Sequence, residues 1–109
     1  MSHLTTHVLD ATAGTPAAGV GVELTDAGGS LVAAGVTDTD GRAALGPDRL
    51  EPGRYHLTFA IGAHFTEQGV ETFYPEVTVT FEVTPAGADR HLHVPLLASP
   101  FAYSTYRGS

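Results

Sequence analysis

Cysteine and lysine are both missing from the 109 residues of this sequence, and so are long apolar runs. Without cysteine no disulfide can form, which fits a reducing compartment. No apolar run approaches the roughly 20 residues of a membrane-spanning helix. The N-terminus also lacks the basic and apolar regions of a secretory signal. We therefore expect a soluble, cytoplasmic protein without a membrane partner.

The charge balance argues against a nucleic-acid surface. The formal net charge is −7, and five arginines are the only permanently cationic side chains. Binding to a phosphate backbone needs clustered positive charge, so we expect no nucleic-acid partner. Six histidines are present, and histidine is the side chain that exchanges protons near neutral pH. Proton-transfer chemistry is therefore open to this chain.

The length and the spacing of glycine and proline predict one all-β domain over residues 1–109. Short runs rich in Val, Thr, Leu, Phe and Tyr recur about every ten residues, as in a two-sheet β-sandwich. Residues 55–59 and 77–83 alternate most clearly, which indicates one buried face in each strand. We predict seven or eight strands, at Leu4 to Asp10, Gly21 to Asp26, Leu31 to Thr37, Arg42 to Leu45, Arg54 to Ile61, Glu76 to Val83, His91 to Leu97 and Ala102 to Tyr106.

Two segments depart from the strand pattern, one as a turn and one as a helix. Asp40-Gly41 lies between strand-like runs and supplies the positive φ angles of a tight hairpin turn just before Arg42. Residues 62–69 lack strand alternation and end on a glycine, which predicts one short helix.

The alternation predicts which face of its strand carries His7 and which carries His93. If Val8 points into the sandwich, His7 points out of it. In the second histidine segment, period two puts His93 opposite a core face formed by Leu92, Val94 and Leu96. Pro95 cannot donate to a ladder, so this strand should be irregular or bordered there. An outward strand histidine is usually an ordinary surface residue, so the pattern alone leaves a functional role open.

Metal binding is the other use of paired histidines. His91 and His93 project the same way from a strand, but no third ligand at a recognisable spacing accompanies them. Residues 38–41 resemble the start of a calcium loop but lack its later ligands. We predict neither a metal nor a cofactor.

The C-terminal residues Tyr106-Arg107-Gly108-Ser109 admit two interpretations. Chain ends are usually frayed, which would make this a disordered tail with a solvated arginine. However, the tail follows a strand-like run without a polar linker, and its last residue brings a free carboxylate to the surface that Tyr106 and Arg107 occupy.

Six motifs are spread in order over the whole chain. They are Thr6-His7-Val8-Leu9-Asp10, Asp40-Gly41-Arg42, Phe73-Tyr74-Pro75, His91-Leu92-His93-Val94-Pro95-Leu96-Leu97, Ser99-Pro100 and Tyr106-Arg107-Gly108-Ser109. In this pattern the chain resembles the 5-hydroxyisourate hydrolases. The terminal tetrapeptide is the most specific element of the resemblance, and an aromatic residue often stands in the family where this chain has Leu92.

The resemblance implies a transthyretin-like sandwich assembled as a homotetramer, a dimer of dimers. It implies hydrolysis of a small purine-derived substrate, 5-hydroxyisourate, to 2-oxo-4-hydroxy-4-carboxy-5-ureidoimidazoline in urate catabolism, in a channel between the dimers. The residues implied as catalytic are His7, Arg42, His93 and Ser109, and those implied as substrate-binding are His7, Arg42, Tyr106, Arg107 and Gly108.

Roles follow from the chemistry of these groups. We predict that His7 activates water or shuttles protons, oriented by Ser109 or its terminal carboxylate, and that His93 is the second proton-transfer and binding imidazole. Arg42 offers a permanently charged planar donor array to substrate oxygens and to a developing oxyanion. A role for His91 is doubtful, because the resemblance singles out His93.

Two other functions fit the same fold. One is a transthyretin-like carrier that holds a small aromatic ligand without chemistry, although transthyretin has lysine, glutamate and threonine where this chain has His7, Arg42 and His93. The other is a non-catalytic accessory sandwich, since the central block from residue 37 to residue 55 also occurs in such domains.

Overall fold

The computed structural model describes residues 2–108 and forms two β-sheets with one short helix. This agrees with the predicted sandwich. The elements in chain order are β1 (Leu4–Asp10), β2 (Thr15–Pro16), β3 (Gly21–Asp26), β4 (Leu31–Val36), β5 (Arg42–Leu45), β6 (Gly53–Phe59), α1 (Ile61–Glu67), β7 (Val77–Val83), β8 (Leu92–Ser99) and β9 (Ala102–Thr105).

The first sheet carries the segments that the sequence singles out for chemistry. Its strands follow the order β2-β1-β8-β9, and β5 also pairs with β1. Strands β1 and β8 run parallel, whereas the other pairs in this sheet are antiparallel. The second sheet is antiparallel throughout, in the order β4-β3-β6-β7.

The core lies between the sheets and is built from every second residue of most strands. In β1 the buried and half-buried positions alternate strictly, and in β6 the residues Tyr55, Leu57 and Phe59 are buried. Full burial of a leucine or phenylalanine side chain contributes about 1.5 to 3 kcal/mol each. The hydrophobic effect thus fixes which face of each sheet is left for function.

Several predicted strand ends differ from the structure by one or two residues, and one short strand was not predicted. Ile61 was placed at the end of a strand, but it begins α1 and is buried there, because a helical turn delivers its side chain to the core as well as a strand does. Strand β2 was not predicted, since two exposed residues carry no alternation. His91 precedes β8, which continues beyond Leu97 to Ser99.

A buried carboxylate hydrogen-bonded to a histidine attaches α1 to the first sheet. The Asp10 carboxylate is almost fully buried and lies 2.8 Å from Nε2 of His64. The backbone N–H groups of Thr12 and Ala13 also donate to it, at 3.0 Å. Burial opposes its ionisation, but these hydrogen bonds together outweigh burial and hold the pKa of Asp10 below 3.8.

In the part of the chain that the structure describes, residues 2–108, no helix is long and apolar enough to cross a bilayer.

Candidate active site

Three neighbouring strands of the first sheet bring His7, Arg42 and His93 to one face. The antiparallel register pairs His7 of β1 with Arg42 of β5, and the parallel register pairs Thr5 of β1 with His93 of β8. Residues paired across strands project from the same side of a sheet. Because Thr6 and Val8 fill the core, the pairs that contain Thr5 and His7 face outward, as the alternation predicts.

A tight turn places Arg42 opposite His7. Oδ1 of Asp38 accepts from the backbone N–H groups of Asp40 and Arg42, at 2.9 and 3.0 Å. These hydrogen bonds, that of Arg42 foremost, hold the pKa of the Asp38 carboxyl below 3.8. Gly41 adopts a φ of 75°, and a Cβ there would collide with the carbonyl oxygen of Val8. The turn therefore needs glycine for both conformation and space.

The turn was predicted as a hairpin, and that prediction is half right. The chain reverses at Asp40-Gly41, where the N–H of Asp38 donates to the carbonyl of Arg42 at 2.9 Å. However, β4 pairs within the second sheet and β5 within the first, so the turn crosses between the sheets.

The hydrogen bond of His7 fixes the chemical state of its ring. Nε2 lies 2.8 Å from the carbonyl oxygen of Asp40. A carbonyl oxygen only accepts, so Nε2 carries the proton and donates it. In the neutral ring the lone pair is then on Nδ1. His7 is therefore oriented as a base by the backbone of the same turn that positions Arg42.

His93 is half-buried and held by the hydroxyl of Thr5. Nδ1 of His93 lies 2.9 Å from Oγ1 of Thr5, and Nε2 of His91 lies 2.8 Å from the same oxygen. Burial, and after it the positive charge of Arg42, lowers the pKa of His93 below its usual 6.5. The His93 ring is consequently neutral at physiological pH and able to accept a proton.

The C-terminal segment rejoins the sheet beside His93. The ladder between β8 and β9 ends where Leu96 pairs with Thr105, and Oγ1 of Thr105 donates to the carbonyl of Pro95 at 2.7 Å. Gly108 then forms a single bridge with His93. The ladder between β8 and β9 therefore stops before Pro95, as its missing N–H predicts, while β8 itself continues through Pro95 and stays paired with β1.

The remaining predicted tail residues lie at the surface around this bridge. Tyr106 and Arg107 are exposed and line a cavity of about 170 Å³ together with His93. A second cavity of about 430 Å³ lies beside Thr5, Asp38 and Arg42. Ser109 lies outside the described residues.

No group of three or more potential ligands converges as a metal site within residues 2–108. The residues that do converge offer imidazole nitrogens and a guanidinium. Imidazole transfers protons at neutral pH, and a guanidinium stabilises negative charge on oxygen, so the arrangement suits acid–base attack on a carbonyl.

Sequence reasoning did not assign Thr5 or Asp38 to this site. Alternation along β1 already places Thr5 on the same face as His7. Which residues Thr5 contacts, however, depends on the register between β1 and β8. The contact of His7 with a backbone carbonyl has no sequence signal.

A family model, a relative by sequence and a solved structure all match this chain over nearly its whole length. Residues 4–108 match the model of the HIUase/Transthyretin family. A 5-hydroxyisourate hydrolase from Caulobacter vibrioides is 48% identical over 116 residues, with all of both chains covered. A solved 5-hydroxyisourate hydrolase from Klebsiella pneumoniae superposes with a TM-score of 0.87 at 40% identity, covering 97% of this chain and 98% of that one.

The fold is also that of a ligand carrier. Sea bream transthyretin, solved in complex with thyroxine, superposes with a TM-score of 0.87 at 34% identity, over 96% of this chain and 93% of that chain. The overall fold therefore does not separate hydrolase from carrier, and the side chains on the outer face of the first sheet must do so.

Proposed function

This chain belongs to the HIUase/Transthyretin family, and from that premise we propose that it hydrolyses 5-hydroxyisourate, a reaction of urate catabolism. The observation that carries the proposal is the convergence of His7, Arg42 and His93 on one outer sheet face. A carrier needs an apolar surface for an aromatic ligand and gains nothing from two proton-transfer groups beside a guanidinium.

In the proposed reaction, His7 activates the attacking water. Nδ1 of His7 takes the proton, while the Asp40 carbonyl holds the ring through Nε2. The hydroxide attacks an amide-type ring carbonyl, and the oxygen of that carbonyl gains negative charge. Proton transfer by a positioned imidazole contributes roughly 10² to 10⁴ in rate.

Arg42 stabilises that charge, and His93 completes the proton transfer. The guanidinium of Arg42 remains charged at every working pH and donates to two oxygens in one plane. His93 first accepts a proton from the adduct of water and substrate, which its neutral, half-buried ring suits, and then passes a proton to the leaving ring nitrogen. Tyr106, Arg107 and Gly108 bind the substrate edge, and Ser109 or its carboxylate orients His7.

We further propose the homotetramer, a dimer of dimers, as the active form. Strands β7 and β9 end their sheets, and an edge strand offers unpaired backbone groups to a partner. Phe73, Phe101 and Tyr103 are exposed near the β9 edge, where the N–H of Phe73 donates to the carbonyl of Pro100. Apposition of two outer faces would then enclose the site in a channel.

We propose the cytoplasm as the compartment of the protein, since the chain contains no cysteine.

An ultraviolet assay of freshly prepared 5-hydroxyisourate tests the function. The proposal predicts saturable acceleration of substrate loss when the protein is added, without a metal or cofactor. The carrier alternative predicts that a small aromatic ligand raises the melting temperature while substrate decays at its spontaneous rate, and that result would reject the hydrolase.

A further inference from the structure

The hydroxyl of Thr5 lies between two histidine rings, that of His93 on the neighbouring strand β8 and that of His91 just before it. Its Oγ1 is 2.9 Å from Nδ1 of His93 and 2.8 Å from Nε2 of His91. His93 faces the candidate site and is half-buried, whereas His91 is exposed to solvent. The three groups therefore form a hydrogen-bonded chain from the site to bulk water.

A hydroxyl carries a single proton, so Thr5 donates to one ring and accepts from the other. In one arrangement Thr5 donates to Nδ1 of His93, and His93 holds its own proton on Nε2. In the other, Nδ1 of His93 donates to Thr5, Thr5 donates to His91, and Nε2 of His93 is a free base. When His93 is protonated on both nitrogens, moving both protons by one step carries its positive charge to His91.

We propose that Thr5 and His91 are positioning residues that form a proton relay between His93 and solvent. The proposal rests on the hydrolysis proposed above, and it assigns a role to His91, which the sequence alone made doubtful.

Each proton that enters the relay at His93 leaves it at His91. Nε2 of His93 takes a proton from the adduct of water and substrate, and the ring becomes an imidazolium. Nδ1 passes its proton to Oγ1 of Thr5, while Thr5 passes its own proton to Nε2 of His91. His93 is again neutral, with its proton on Nε2, and His91 releases one proton to water. The reverse passage resupplies Nδ1 when Nε2 protonates the leaving nitrogen.

The charges around His93 favour movement of a proton outward. Arg42 of β5 acts on the ring through its positive charge, and Glu82 and Arg107 line the cavity beside it. Burial and then Arg42 lower the pKa of His93, so an extra proton is less stable there than on an exposed imidazole.

Substitution of Thr5 tests the central link. Thr5→Val keeps the shape but removes the hydroxyl, and Thr5→Ser restores it. We expect Thr5→Val to lower kcat about tenfold with KM changed by less than about twofold, because proton transfer rather than binding is lost. Thr5→Ser should keep most of the parent kcat. Parent kcat in Thr5→Val would overturn the relay.

Substitution of His91 tests the solvent end. His91→Asn should lower kcat several-fold in weakly buffered solution, and added imidazole should restore it, since a soluble base can replace the missing proton acceptor. His56→Asn is the matched control, because His56 is also a strand histidine bonded to a threonine hydroxyl, at 2.8 Å from Thr80 on the second sheet. The same loss in both variants, or no rescue by imidazole, would contradict the relay.

Nitrogen NMR of histidine-labelled protein tests the relay without any turnover. The ¹⁵N shifts of His93 report which nitrogen carries the proton, and Thr5→Val should change that distribution and the titration midpoint, whereas Thr5→Ser should not. An unchanged tautomer in Thr5→Val would reject the relay even if the protein is a hydrolase. A changed tautomer in a protein that hydrolyses nothing would instead reject the proposed function.

Discussion

Gly108 donates its backbone N–H to the carbonyl oxygen of His93, at 2.8 Å, and lies against the imidazole of the same residue. A Cβ on Gly108 would collide with Cδ2 of His93 and lie 3.2 Å from its Cβ. The terminal motif therefore supports the wall of the candidate site, and its glycine is required for the close approach.

Gly108→Ala should displace either the tail or the His93 ring. Because a displacement of about 1 Å in a catalytic group can cost around 10²-fold in rate, we expect kcat/KM to fall at least tenfold. The melting temperature should change little, since the core lies elsewhere. Gly28→Ala is the matched control, because a Cβ there meets only Oδ1 of Asp26, at 3.5 Å. Parent activity in Gly108→Ala would show that the contact is incidental.

The pKa of His93 should be measurably low and partly dependent on Arg42. A titration followed by NMR should give a midpoint below 6.5 in the parent. In Arg42→Ala the midpoint should rise toward 6.5 without reaching it, because burial, the larger cause, persists. A midpoint that Arg42→Ala leaves unchanged would show that the two groups do not interact.

The same shift has a defined effect on stability. The folded-state pKa of His93 lies below the unfolded value of 6.5, so the unfolded chain binds more protons. The contribution of His93 to the free energy of unfolding is therefore complete above pH 6.5 and is lost as the pH falls through the folded-state pKa.

Sequence patterns predicted the faces of the strands better than their ends. Alternation in β1 identified His7 as outward. Thr6 and Val8 on either side of it are buried, and successive residues of a strand point to opposite faces. It failed at Ile61, where an apolar residue reaches the core from a helix. The sandwich and the outward histidines were thus predictable from local periodicity alone.

The details of the site were not predictable in the same way. The pairing of Thr5 with His93 depends on the register between strands that are more than 80 residues apart, and local periodicity carries no information on register. The bond between His7 and the Asp40 carbonyl depends on the path of the turn. Ser109 lies outside the described residues, so its orienting role stays a prediction.

Asp10→Ala should destabilise the fold through its unpaired donors. It removes the acceptor for His64, Thr12 and Ala13 in a buried setting, which should cost about 2 to 4 kcal/mol in the free energy of unfolding. Asp26→Ala is the control, because Asp26 accepts two backbone N–H groups in an exposed turn and should cost only about 1 kcal/mol. Denaturant unfolding measures both, and equal losses would contradict the role of burial.

Asp10 also gives a pH test with a definite sign. Its folded-state pKa lies below 3.8, so its stabilising contribution is present above pH 3.8 and is lost as the pH falls through the folded value. The stability difference between the parent and Asp10→Ala should therefore shrink in acid.

Deletion of residues 106–109 should abolish most turnover while leaving the proposed homotetramer intact. The core between the two sheets lies upstream of residue 106, whereas the bridge between Gly108 and His93 would be lost. Residues fused after Ser109 should have a similar effect by filling the proposed channel between the dimers. Light scattering at micromolar concentration checks the assembly. A truncated protein with the parent rate would remove the tail from the site, and a fully active monomer would contradict the channel.

The most direct test compares the parent with His7→Asn in the 5-hydroxyisourate assay. Asparagine is polar and similar in size to histidine but has no basic nitrogen in place of Nδ1. We predict that the parent accelerates substrate loss, that His7→Asn lowers kcat/KM at least tenfold, about 1.4 kcal/mol in the barrier, and that both melt at similar temperatures. Parent activity in His7→Asn would contradict the assignment of the outer sheet face as the catalytic site.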